Sequence, residues 1–221
     1  PAAGIASWYD YFNSQGTQFG NAPYSDLSWL SLYVSTRMLD QDDWAGIWQN
    51  YSNYINQLNK DQYAHDRNYS DVWKERDYTL HPENLKTSAL IVHGLNDDNV
   101  KTKHFELMYD ALKKAGQDVK LYLHQGDHVY PAAMSRGYGI TANGQDFYDL
   151  LNTWLTHYLY GVDNHVESLP AVLAQNNYDP SKWASYDNWK SNQRLFLNAS
   201  SKRLEETISS DYAAAGVEIA N

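Results

Sequence analysis

Between residues 42 and 60, Trp44, Ile47, Trp48, Tyr51, Ile55 and Leu58 recur every three or four positions, the period of an amphipathic helix. A helix is also expected near 26–40, with Ser25 as N-cap and Leu27, Leu30, Val34 and Leu39 along one side. A third, short helix is expected near 62–76, and the stretch 16–24, rich in Gly, Asn and Pro, reads as a loop. Residues 17–80 together read as a helical insertion whose aromatic side chains pack cores and interfaces.

The rhythm then changes. Ser88-Ala-Leu-Ile-Val92 is a short apolar run ending at His93-Gly94, the pattern of a buried strand. Lys103 to Lys114 is helical, with Phe105, Met108, Ala111 and Leu112 facing inward and Gly116 as its stop. Val119-Lys-Leu-Tyr-Leu123 is a second strand, ending at His124-Gln-Gly126. Gly144 to Tyr160 is a long amphipathic helix with Phe147, Leu150, Leu151, Trp154, Leu155 and Tyr158 inward, closed by Gly161. Strand–helix–strand–helix with short links predicts a parallel α/β sheet, and in such sheets functional groups gather at the carboxyl ends of strands.

At both ends of the chain the pattern is different. Pro1-Ala-Ala-Gly-Ile5 is apolar from the outset, so the chain is expected to start inside a folded unit, at or just after a buried strand. Residues 166–192, with Pro170 and Pro180, read as an extended connector, and Arg194-Leu-Phe-Leu197 as the first strand of a further domain. The expected organisation is therefore 1–16, the end of a strand and a loop; 17–80, the helical insertion; 81–165, the α/β half-domain; and 166–221, a connector and the start of a β domain.

Composition narrows the classes. The formal net charge of −10 over 221 residues repels phosphate backbones, which argues against nucleic-acid binding. There are no cysteines, so disulfides and thiolate metal sites are excluded; this is compatible with a reducing, cytoplasmic setting. No apolar run is long enough for a membrane-spanning helix. No cofactor is expected.

Two strand ends carry candidate chemistry. The first runs into His93-Gly94-Leu95-Asn96-Asp97-Asp98-Asn99-Val100, the second into His124-Gln125-Gly126-Asp127-His128-Val129-Tyr130. In α/β-hydrolases the triad follows the chain order serine, acid, histidine. Asp97 and His128 stand in that order, one helix and one strand apart, after the expected penultimate and last strands. A serine hydroxyl needs a base to take its proton, and that base needs a carboxylate to hold its tautomer and stabilise its charge. Alternatives stay open for each residue. Asp97 in an Asn-Asp-Asp-Asn run could make a turn or cap a helix, and a lone strand-end His is often structural. His124 and His128 are four apart, as on a zinc-binding helix, but Gly126 lies between them and no Glu-containing zinc motif follows.

The stretch Leu90-Ile-Val-His-Gly-Leu-Asn-Asp97 through Asn99-Val100, together with His124-Gln-Gly-Asp-His128-Val-Tyr130, resembles the bacterial Xaa-Pro dipeptidyl-peptidase family. Ala6-Ser-Trp-Tyr-Asp-Tyr11 is similar to the segment after that family's nucleophile strand, and the insertion at 17–80 fits its position, so the resemblance covers nearly the whole chain. Asp97 to Val100 is also similar to the dipeptidyl-peptidases of the prolyl oligopeptidase family. Asp98 departs from the bacterial pattern, where Trp is more frequent. The resemblance implies an α/β-hydrolase fold with a helical insertion, incomplete at the N-terminus. It implies Asp97 and His128 as catalytic acid and base. It implies that Asn99 bonds a substrate carbonyl and that Trp8 and Tyr11 wall a proline pocket, against the alternative that both aromatics simply pack the core. Tyr130 is left without a role.

No Gly-x-Ser-x-Gly occurs in the chain, so the nucleophile is expected upstream of Pro1 and the chain alone is expected to be inactive. The function expected of the parent is a serine exopeptidase acting on proline-containing peptides. Its homodimerisation stays open. The alternatives are an esterase or acylase of the same superfamily, or an aromatic-rich carbohydrate-binding module without catalysis.

Overall fold

The computed structural model describes residues 4–13, 44–64, 68–128, 141–142, 145–190, 196–198 and 203–205. The helix expected near 26–40, the loop at 16–24 and Tyr130 lie outside these residues. The chain divides into two units, Pro1–Ser185 and Tyr186–Asn221.

The larger unit is organised by a four-stranded sheet. Strand β1 (Ala89–Gly94) pairs in parallel with β2 (Val119–His124), from Ala89 opposite Val119 to Gly94 opposite His124. Between them runs helix α4 (Lys103–Lys114), preceded along the chain by α1 (Trp8–Asn13), α2 (Trp44–Tyr63) and α3 (Asp71–Lys74). Helix α5 (Phe147–Tyr160) follows a minimal hairpin of β3 (Thr141–Ala142) and β4 (Gln145–Asp146).

Because side chains alternate across a strand, β1 and β2 bury both faces. Leu90, Val92 and Tyr122 pack on one face with Phe147, Leu150 and Trp154 of α5. On the other, the His93 ring lies 5.2 Å from Phe105 of α4. This explains why both strands read as apolar runs rather than alternating ones. A second cluster ties Tyr11 and Phe12 of α1, Leu58 of α2 and Trp73 of α3 to Val100, so the helices are packed against the loop that follows β1.

Helices α4 and α5 stop at Gly116 and Gly161, whose left-handed φ values of 75° and 70° suit a residue without a β-carbon. Helix α5 starts three residues later than expected. Asp146 is extended and its side chain accepts the Tyr148 N–H at 2.8 Å, so the helix begins where its first free donors are satisfied. Asp146→Ala is expected to lower stability by about 1 kcal/mol, read as a shift in the urea midpoint.

Other expectations need correction. Among the described residues of the segment 62–76, the separate helix is confined to Asp71–Lys74, because Ser70 is extended and its carbonyl accepts the N–H groups of Trp73 and Lys74. Trp48, assigned to a packed stripe, is 41% exposed, whereas Leu58 and Gln62 on the same helix are buried. Part of the stretch 166–192 is not a connector. Strand β5 (Val172–Gln175) joins the sheet parallel to β2, Leu121 opposite Val172, and β6 (Trp183–Tyr186) extends the order to β1-β2-β5-β6. Val172 and Leu173 are buried, and Pro170 and Pro180 flank the strand without interrupting it. Strand β2 is therefore not the last of its sheet. In the smaller unit, β7 (Phe196–Asn198) and β8 (Arg203–Glu205) pair antiparallel.

Candidate active site

Strands β1 and β2 end side by side, and the loops leaving them stay bonded past the last ladder pair. The Leu95 N–H donates to the His124 carbonyl at 2.7 Å and the Asn96 N–H to the Gly126 carbonyl at 3.1 Å. Gly94 sits where they meet. A β-carbon there would lie 2.3 Å from the Asp127 carbonyl oxygen and 2.5 Å from that of Gly126, so only glycine lets the two backbones approach this closely.

This approach brings Asp97 and His128 together. Asp97 Oδ2 lies 2.9 Å from His128 Nδ1, while Oδ1 accepts the N–H groups of Asn99 and Val100, each at 2.8 Å. Turn formation and pairing with histidine thus use different oxygens of one carboxylate and do not compete. The Asp97 side chain is 7% exposed and that of His128 is 56% exposed. A buried carboxylate is costly unless both oxygens are engaged, as they are here. With Nδ1 facing a carboxylate, the imidazole keeps its proton on that nitrogen and leaves Nε2 as a proton acceptor.

The remaining candidates occupy the same corner. Tyr11 is buried and donates its hydroxyl to Asn99 Oδ1 at 2.6 Å. Burial, then the Asp97 carboxylate, holds its phenol above the usual range. Trp8 meets Tyr11 edge-on at 5.6 Å and stacks on Phe12 at 5.8 Å. Lys103 of α4 forms an ion pair with Asp10 of α1. Asp98 is exposed.

His124 does not share a ligand set with His128. Its ring is fully buried and its Nδ1 accepts the Gly126 N–H at 3.1 Å. Among the described residues no group of three or more His, Cys, Asp or Glu is placed to hold a metal ion.

Three buried histidines surround the pair. Burial lowers His93, against the opposing pull of Asp97. Burial likewise pushes His104 and His124 down to about 4, from 6.5. Such residues are neutral in the fold, so on acidification the unfolded chain takes up protons first. Their contribution is full above about pH 6.5 and is lost progressively as pH falls toward 4. We expect His104→Gln to flatten the fall of unfolding free energy over this window, measured by urea titration at successive pH values.

The sequence reading missed Gly94 as the point of closest approach, and it missed Asn96, Gln125 and Gln175, whose amides link the strand tips. The histidine before Gly94 and the glutamine before Gly126 were visible signals; Gln175 had none, because its strand was not recognised.

Among solved structures, the fold is similar to a CocE/NonD family hydrolase from Staphylococcus aureus, with a TM-score of 0.56 at 17% identity, covering 94% of this chain and 33% of that one. The sheet is accordingly of the α/β-hydrolase type. The chain is 36% identical over 190 residues to an Xaa-Pro dipeptidyl-peptidase of Lactiplantibacillus plantarum, covering 85% of this chain and 22% of that protein. It is 35% identical over 204 residues to one from Ligilactobacillus salivarius, covering 90% of this chain and 24% of that protein. The chain thus spans about a quarter of the length of these relatives. Among the described residues no helix is long and apolar enough to cross a membrane. The model of the X-Pro dipeptidyl-peptidase (S15) family matches residues 1–130, the part that carries both strand tips and the Asp97–His128 pair, and the chain belongs to that family.

Proposed function

We propose that this chain supplies the acid and the base of a serine exopeptidase, and that the longer parent polypeptide removes Xaa-Pro dipeptides from peptide N-termini. The observation that carries this is the 2.9 Å contact between a saturated, buried carboxylate and an imidazole whose other nitrogen has no hydrogen bond among the described residues. The names of the relatives point to the same substrate class. The serine belongs to sequence outside these 221 residues, which hold no Gly-x-Ser-x-Gly. His128 Nε2 takes the serine proton during attack and returns it to the leaving amine, while Asp97 holds Nδ1–H and stabilises the imidazolium.

Asn99 and the aromatic pair serve the substrate. Because Asn99 Oδ1 already accepts the Tyr11 hydroxyl, its NH₂ group is the part that would donate to a peptide carbonyl. Trp8, only half-buried, offers a flat face to the proline ring, with Tyr11 behind it. The lack of cysteine agrees with a cytoplasmic setting.

The test compares the parent on Xaa-Pro p-nitroanilides and on p-nitrophenyl acyl esters. We expect dipeptide release that is abolished by acetylating the substrate amine. Preference for the esters would favour the esterase reading instead. Turnover by the 221-residue chain alone, lost in His128→Ala, would overturn the placement of the nucleophile.

A further inference from the structure

The backbone ladder between β2 and β5 ends at Leu123 opposite Ala174, one residue short of the loop that bears His128. From there side-chain amides continue it sideways. Gln175, at the tip of β5, is 5% exposed. Its Oε1 accepts the Gln125 N–H at 2.8 Å, its Nε2 donates to the Pro180 carbonyl at 2.7 Å, and its own carbonyl accepts Gln125 Nε2 at 3.0 Å. On the opposite side, Asn96 Nδ2 donates to the Gln125 carbonyl at 2.8 Å and approaches Gln125 Oε1 at 3.3 Å. One amide chain thus crosses the tips of β1, β2 and β5, and Gln125 is gripped from both sides.

We infer that Gln175 is a positioning residue for the catalytic base, acting through Gln125 to hold the loop 125–128 in register with Asp97. This rests on the acid–base assignment above and deepens it. His128 is three residues beyond Gln125 and more than half exposed, so its place depends on its loop and on Asp97. The site on β5 asks for a carboxamide: an acceptor faces Gln125 and a donor faces Pro180 at the same time. Glutamate would set its second oxygen against the Pro180 carbonyl, and a methionine would leave a loop N–H unpaired. Asp97, Asp127, His93 and His124 act on one another electrostatically at these strand tips. None of them contacts Gln175 in the bonds above.

The experiment uses the full-length parent and an Xaa-Pro p-nitroanilide. Gln175→Met is expected to lower kcat by about 10-fold or more, with KM within about twofold, because a misplaced base slows chemistry more than binding. The fraction of sites titrated by a fluorophosphonate should stay that of the parent. Gln175→Glu should show the same loss. Asn96→Ala, at an exposed position, should show a smaller loss with the same split between kcat and KM, and it decides the matter if the β5 variants fail to fold. Unchanged kcat in these variants, or a loss matched in proportion by fewer titrated sites, overturns the inference. His128→Ala in the same assay separates the two levels. If it retains turnover the triad itself fails; if it is inactive while Gln175→Met is fully active, only the clamp fails.

Discussion

Replacing His128 by alanine in the full-length parent is expected to cut kcat by about 10⁴- to 10⁶-fold with little change in KM, because among the described residues no other exposed imidazole lies near the strand tips to take the serine proton. His93, His104 and His124 are buried and cannot stand in. Asp97→Asn should be nearly as severe, about 10⁴-fold, for a reason the hydrogen bonds make specific. The Asn99 and Val100 N–H groups each require an acceptor at 2.8 Å, which fixes the new amide oxygen at the Oδ1 position. The amide NH₂ then faces His128 Nδ1, the imidazole is driven to the other tautomer, and Nε2 carries a proton when it should accept one. Steady-state kinetics on an Xaa-Pro p-nitroanilide checks both variants. An alanine variant within tenfold of the parent would rule out His128 as the base.

Gly94→Ala is expected to lower kcat by about 10²-fold and to cost about 1–3 kcal/mol of stability. The added methyl would meet two backbone oxygens, those of Asp127 and Gly126, at 2.3 and 2.5 Å, and neither can rotate away as a side chain would. Relief requires the two loops to part, which breaks the Leu95–His124 and Asn96–Gly126 hydrogen bonds and separates Asp97 from His128. Gly116→Ala is the control. A β-carbon there meets nothing within 4 Å, but φ is 75°, so stability should fall by about 1–2 kcal/mol while kcat is unchanged. Equal kinetic effects of the two variants would show that Gly94 matters for general stability and not for the approach of the loops.

Much of this was legible along the chain. Strands buried on both faces must be apolar throughout, so β1 and β2 stood out, and the single period of α4 marked that helix from Lys103 to Lys114. The pairing of Asp97 with His128 could be anticipated because parallel neighbours bring their carboxyl ends together. By contrast, β5 is four residues long and bounded by prolines, a pattern shared by strands and linkers. What distinguishes them is pairing with Leu121, Tyr122 and Leu123, about fifty positions earlier, which no local pattern encodes. The exposed Trp48 makes the same point in reverse, since helical spacing says which residues share a side but not which side is covered.

From sequence alone came the types of β1, α4, β2 and α5, the order of Asp97 before His128, and the lack of any cysteine in these 221 residues for disulfide or thiolate-metal chemistry, because periodicity and residue chemistry are local properties of the chain. The tertiary structure decided which oxygen of Asp97 meets His128, that Gly94 must lack a side chain, and that Gln175 reaches Gln125. These are contacts across 31, 32 or 33, and 50 positions. Only the stacking of β1, β2 and β5 into one sheet brings such distant residues within hydrogen-bonding distance.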